Sequence, residues 1–153
     1  MILNQLTGRP EIEPNTKLHN IYIQFGLVLS ELQKKQLTED IVKIINDEVD
    51  ALNALPTNES LAKVIKLKQT AILKVLEKQL KIVPKNYYRN IWLALGMSVF
   101  GLPIGIAFGT SVGNMGLLGI GLPIGMFIGI LIGTTMDKKA LQEGRQLELD
   151  IKH

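Results

Sequence analysis

Few residues in this 153-residue chain have the type and spacing that chemistry needs. There is no cysteine, which removes disulfides, zinc–thiolate sites, a thiol nucleophile and a lipidated N-terminal cysteine. The two histidines, His19 and His153, are far apart and one is terminal, so no metal site is expected. Glu39, Asp40, Asp47 and Glu48 crowd one stretch where a pair of carboxylates could do acid–base work. Glu39 and Asp40, however, directly follow Thr38, where acidic residues favour a helix start, and Asp47 and Glu48 suit a solvated face. No Ser-His-Asp arrangement is suggested. The glycine-rich region is apolar and lacks the Lys-Ser/Thr that ends a phosphate-binding loop. The expectation is a protein that is not an enzyme and holds no metal or cofactor.

The residue with regular spacing is glycine. Gly101, Gly105, Gly109 and Gly113 step by four, and so do Gly121, Gly125, Gly129 and Gly133. The pentapeptide Gly-Leu-Pro-Ile-Gly at 101–105 recurs at 121–125. In a helix each series forms one slowly drifting stripe. Lipid supplies no hydrophobic force between helices, so small residues that let backbones approach are what drives association there. The stripe therefore predicts close helix packing, with the partner being the other series, another copy, or both. Gly96 and Gly119 leave room for contacts between copies. Pro103 and Pro123 withdraw hydrogen bonds from the carbonyls of Val99 and Gly119 and predict kinks; a hinge in a pore is the sharper alternative.

The glycines lie in an unusual block. Ile91 to Met136, 46 consecutive residues, contains no Asp, Glu, Lys, Arg or His. As one helix it would be about 69 Å long, whereas a bilayer core is about 30 Å thick and needs about 20 residues. Two spans fit, at 91–111 and 117–136, with a turn at Val112-Gly113-Asn114-Met115-Gly116, where Asn114 is a turn former. Nine or ten Leu, Ile, Val or Phe per span give about −3 to −6 kcal/mol for insertion, with no opposing charge. Lys85, Tyr87, Tyr88, Arg89 and Trp92 form a cationic and aromatic anchor before the first span. Asp137, Lys138 and Lys139 mark the exit of the second. Positive charge on both outer sides and none in the turn puts both termini in the cytoplasm.

The rest of the chain carries every charge. Hydrophobic residues make up 46% and the net charge is +3, but residues 31–60 sum to −4 and 61–90 to +7. The basic stretch sits next to the uncharged block, as expected at an anionic membrane surface; no nucleic-acid motif is present. Residues 1–10 lack the basic and apolar regions of a cleavable signal. Residues 15–35 read as an amphipathic helix, with a strand over 21–25 as the competing reading. A second helix follows Thr38, buries Ile41, Ile44, Ile45, Val49 and Leu52, and ends before Pro56. A third runs from Thr57 or Asn58 toward Pro84 on Leu61, Val64, Ile65, Ile72, Val75, Leu76 and Leu80. The short link makes these two antiparallel. Residues 145–153 alternate like a strand that needs a partner, with a short helix as the alternative.

The repeated GLPIG, the linked four-residue glycine steps, and the stretch Tyr87 to about Arg145 with NYYRNIW, GNMG and MDKKA resemble bacterial glycine-zipper membrane proteins. The resemblance covers roughly the last 65 residues. It implies membrane residence and self-association, and supplies no catalytic residue; with both termini cytoplasmic, the expected location is a bacterial inner membrane. Some such families are lipoproteins, from which this chain departs by lacking cysteine, and others are pore-forming toxins. The expected architecture is all-α: a soluble helical head over 1–86, a transmembrane helical hairpin over 87–136 and a polar tail over 137–153. The expected function is a self-assembling membrane anchor or scaffold whose head meets a cytoplasmic protein partner, with a pore-forming effector as the alternative.

Overall fold

The computed structural model describes residues 2–151, so the terminal His153 lies outside the described residues. It is all-helical: α1 (Lys17–Gln33), α2 (Glu39–Asn53), α3 (Leu61–Leu80), α4 (Tyr87–Leu95), a π-helical segment (Gly96–Gly101), α5 (Leu102–Val112) and α6 (Leu118–Gln142). The chain divides into two compact units. One comprises the residues up to 83 together with those from 147 onward; the other is 84–146.

In the first unit, α1 starts where the Thr16 hydroxyl accepts the His19 N–H at 3.1 Å. Its three- and four-residue steps bury Ile21, Phe25, Val28, Leu29 and Leu32. Ile23 stays exposed, so the 21–25 segment follows helical rather than strand alternation. α2 buries Ile41, Val42, Ile45, Val49 and Leu52. Val42 takes the place expected for Ile44, which faces outward. α3 buries Leu61, Ile65, Gln69, Ile72 and Leu76 and packs against both α1 and α2. The acidic and basic helices are joined by Lys68 and Glu48. α3 ends at Lys81 in the left-handed region, φ 56°, three residues before the proline.

Two segments without helix complete this unit. Residues before Thr16 run along α2. Asn4 donates to the Asp50 carboxylate at 2.8 Å, and Arg9 gathers the Leu52 and Leu55 carbonyls at 3.0 and 2.7 Å, satisfying acceptors left open at the end of α2. Residues after 146 return to the same core. The Leu147 N–H donates to the Val83 carbonyl at 2.9 Å, and the Leu147 side chain is fully buried. Leu149 and Ile151 pack on the core beside it. The Glu31 carboxylate accepts the Glu148 N–H at 3.3 Å and Lys34 at 2.5 Å; the lysine, first, and this amide hold its pKa below the ordinary range.

The expected boundaries at 86 and 136 therefore move to 83 and 146. The tail, expected as strand or helix, is an extended segment that buries Leu147 in the head core and lays Leu149 and Ile151 against it. The hairpin is an insertion between two parts of one domain. Leu147→Ala removes a fully buried side chain far in sequence from its neighbours and should destabilise the head by about 2–5 kcal/mol. Denaturant unfolding followed by circular dichroism measures this, and Leu141→Ala, exposed on α6, serves as the near-neutral control.

Candidate functional site

The second unit is a helical hairpin. α4, the π-helical segment and α5 form one helical stretch, Tyr87–Val112, of 26 residues, and α6 has 25. Both are long and apolar enough to cross a membrane. The turn lies where glycine and asparagine placed it. Gly113 caps α5 with φ 68°, the Asn114 N–H reaches the Gly109 carbonyl at 3.0 Å, and the Asn114 Oδ1 accepts the Gly116 N–H at 2.9 Å. Glycine suits 113 because an L side chain is strained in this left-handed region.

Between 91 and 136, every described buried residue is a glycine: Gly96, Gly101, Gly105, Gly109, Gly121, Gly125, Gly129 and Gly133. The two helices meet main chain to main chain. A β-carbon on Gly121 would fall under 3.0 Å from backbone atoms of Gly101 and Gly105. One on Gly125 would strike Gly96 and Gly101, one on Gly129 the Trp92 carbonyl, and one on Gly133 the backbone of Tyr88 and Arg89. Gly105 in turn faces the Leu118 backbone. No side chain can retreat to make room, because the obstruction is backbone.

Two glycines differ from the expected stripe. A β-carbon added at Gly113 would meet nothing within 4 Å, so this residue serves the turn rather than the seam. Gly96, expected to be spare for other copies, is in the seam instead. The reason is the π-helical segment. Gly96 and Gly101 are five residues apart, which in a regular α-helix is an angular offset of about 140°. A π turn carries an extra residue, visible as the Leu102 N–H donating to the Met97 carbonyl, and brings the two glycines onto one face. Pro103 follows directly, in the first turn of α5, where the π-helical segment gives way to α-helix. Pro123 sits in the same pentapeptide, yet α6 remains α-helical around it. The two copies of the repeat are thus not equivalent.

At the open end of the hairpin, Asp137 is buried. Its carboxylate accepts the N–H groups of Tyr88 at 3.1 Å and Arg89 at 2.9 Å. Asn86, the residue that precedes α4, has φ 61° and makes no side-chain cap. Asp137 therefore caps α4 from the other helix, where a negative charge also suits the helix dipole. The sequence alone placed Asp137 only as a marker of the exit. Its one signal there is that of a lone acid beside two lysines at the end of an uncharged run.

Of the expected anchors, Lys85, Arg89, Lys138 and Lys139 are exposed, and Tyr87, Tyr88 and Trp92 are half-buried. The Tyr87 and Tyr88 rings meet edge to face at 5.2 Å. Asp137 brings the start of α4 level with Lys138, so these groups share one end of the hairpin. Among the described residues no cluster of three His, Cys, Asp or Glu could hold a metal ion. Comparison with protein families, with curated proteins and with solved structures finds no match.

Gly125→Ala should destabilise the hairpin by about 1–3 kcal/mol through enforced overpacking, while Gly119→Ala, which meets nothing within 4 Å, should be neutral or better. Unfolding in mixed micelles compares the two. Asp137→Ala strands two amide donors and should cost about 1–3 kcal/mol in the same assay, with Lys138→Ala near neutral.

Proposed function

We propose that this chain is an integral membrane protein whose hairpin is a pre-packed anchor for the helical head. One observation carries this. In their most apolar windows, only 17% of the first long helix and 22% of the second is buried, and what is buried is glycine. Val99, Ile106, Phe108, Phe127 and Leu131 all point outward. A core helix of a water-soluble protein turns such side chains inward; in lipid they belong outside.

The hydroxyls support the same reading over a pore. Ser98, Thr110, Ser111, Thr134 and Thr135 each donate to a carbonyl one turn back, for example Ser111 to Ala107 at 2.7 Å and Thr134 to Ile130 at 2.8 Å. A hydroxyl bonded to its own helix is satisfied in hydrocarbon and needs no water. A conducting path needs polar lining or free carbonyls, and the seam between the helices is closed by direct backbone contact.

The glycines of the two stripes are occupied within the chain, apart from Gly113 in the turn, and of the two expected spare glycines only Gly119 stays open. Self-association would therefore use the outer apolar faces rather than the stripe. The open end, with its lysines, arginine and aromatic rings, faces the cytoplasm of a bacterial cell on the positive-inside rule. The head and the returning tail then lie on that side, available to a cytoplasmic protein partner.

Membranes washed with high salt and then with alkaline carbonate should retain the chain. Purified protein in liposomes should leave ion permeability at the level of empty vesicles. Release by carbonate would overturn the membrane reading, and reproducible conductance would overturn the anchor in favour of a pore.

A further inference from the structure

One face of the head remains without a role. Along α3 the residues Lys63, Leu67, Ala71, Lys74 and Lys78 are all exposed. At about 100° per residue they fall within an arc of about 80° over about 22 Å of helix. They form a straight outward stripe, opposite in character to the buried series Leu61, Ile65, Ile72 and Leu76. Two other nearby lysines are engaged, Lys68 with Glu48 and Lys81 with Glu77, the only acid of α3, at 3.7 Å, while Lys66 lies half-buried on the flank of the stripe. Lys63, Lys74 and Lys78 make no ion pair among the described residues.

We propose that this stripe is a docking surface for anionic phospholipid headgroups, lying flat on a bilayer. The proposal rests on the reading of the hairpin as membrane-spanning. Three features favour a lipid surface over an acidic protein. The cations of α3 are all lysines, flexible point charges suited to a diffuse negative layer, whereas recognition of a fixed carboxylate favours the planar fork of arginine. Leu67, 61% exposed, and Ala71 lie between the lysines and supply the shallow apolar contact of an interfacial helix. Long lysine stems can lie along that apolar strip while their ammonium groups reach the headgroups. Attraction of this kind is screened by salt.

The chain lacks cysteine, so a single introduced thiol takes a unique fluorescent label. The full-length Ala71→Cys variant is labelled and reconstituted into vesicles of phosphatidylcholine alone or mixed with phosphatidylglycerol. Each vesicle also contains a trace of headgroup-spin-labelled lipid as quencher. The expected result is quenching several-fold stronger in the phosphatidylglycerol vesicles, lost in high salt and lost on combining Lys63→Gln, Lys74→Gln and Lys78→Gln. Equal quenching in both vesicles, or quenching indifferent to the three substitutions, overturns the proposal. So does an unquenched label in anionic vesicles together with binding of polyglutamate that needs the same lysines, which assigns the stripe to an acidic partner. A second label at Phe127→Cys, read with acyl-chain quencher, separates the two claims. If it is quenched while the Ala71 label is not, the hairpin reading stands and the docking surface falls; if it is unquenched, the hairpin reading itself has failed.

Discussion

The direct approach of two peptide backbones along the hairpin governs everything else in this half of the molecule. In lipid, apolar side chains gain nothing by leaving hydrocarbon for one another. What remains is dispersion between atoms brought to contact, and that grows as side chains are removed from the interface. Gly96, Gly101 and Gly105 against Gly121, Gly125 and Gly129 remove them all. The large side chains then point outward, and a surface unsuited to water follows from an interface made of main chain.

Keeping such a seam continuous imposes a constraint on register. A four-residue glycine step drifts around a helix of 3.6 residues per turn, and the first helix breaks the step between Gly96 and Gly101. The π-helical segment absorbs the extra residue at the point where the facing helix needs a bare surface for Gly125 and Gly129. Proline at 103 stands where that segment gives way to α5. At the open end the seam closes differently. Asp137 replaces the cap that Asn86, in a left-handed conformation, does not provide. Backbone contact and one buried carboxylate together hold both helices from turn to mouth.

Much of this was legible in the sequence because its causes are local. The helical periods of α1 to α3, the uncharged block, the turn at Gly113 and Asn114, and the two glycine series all follow from residue type and short spacing. What escaped depends on pairing across long separations. Asp137 lies 49 residues from the amide of Tyr88 that it caps. Leu147 completes a core whose other buried members precede residue 84, and its alternating neighbours carry a strand signal that an extended segment packed along a core gives equally well. Gly96 was out of phase with its series by the arithmetic of a regular helix, and only the local widening of that helix puts it in phase. Val42 and Ile44 exchanged places because neighbouring apolar residues leave the buried face of α2 open to a shift by one position or two.

The most direct test of the seam is magnetisation transfer between glycine α-carbons in solid-state NMR of the chain in bilayers, with glycine as the only carbon-labelled residue. A seam within one chain predicts cross-peaks linking Gly96 with Gly129 and Gly105 with Gly121, unchanged in intensity per labelled molecule when labelled chains are diluted into unlabelled ones. Cross-peaks that vanish on dilution would mean that the glycines zip separate copies together, and their absence at every dilution would mean that the helices do not meet through glycine at all.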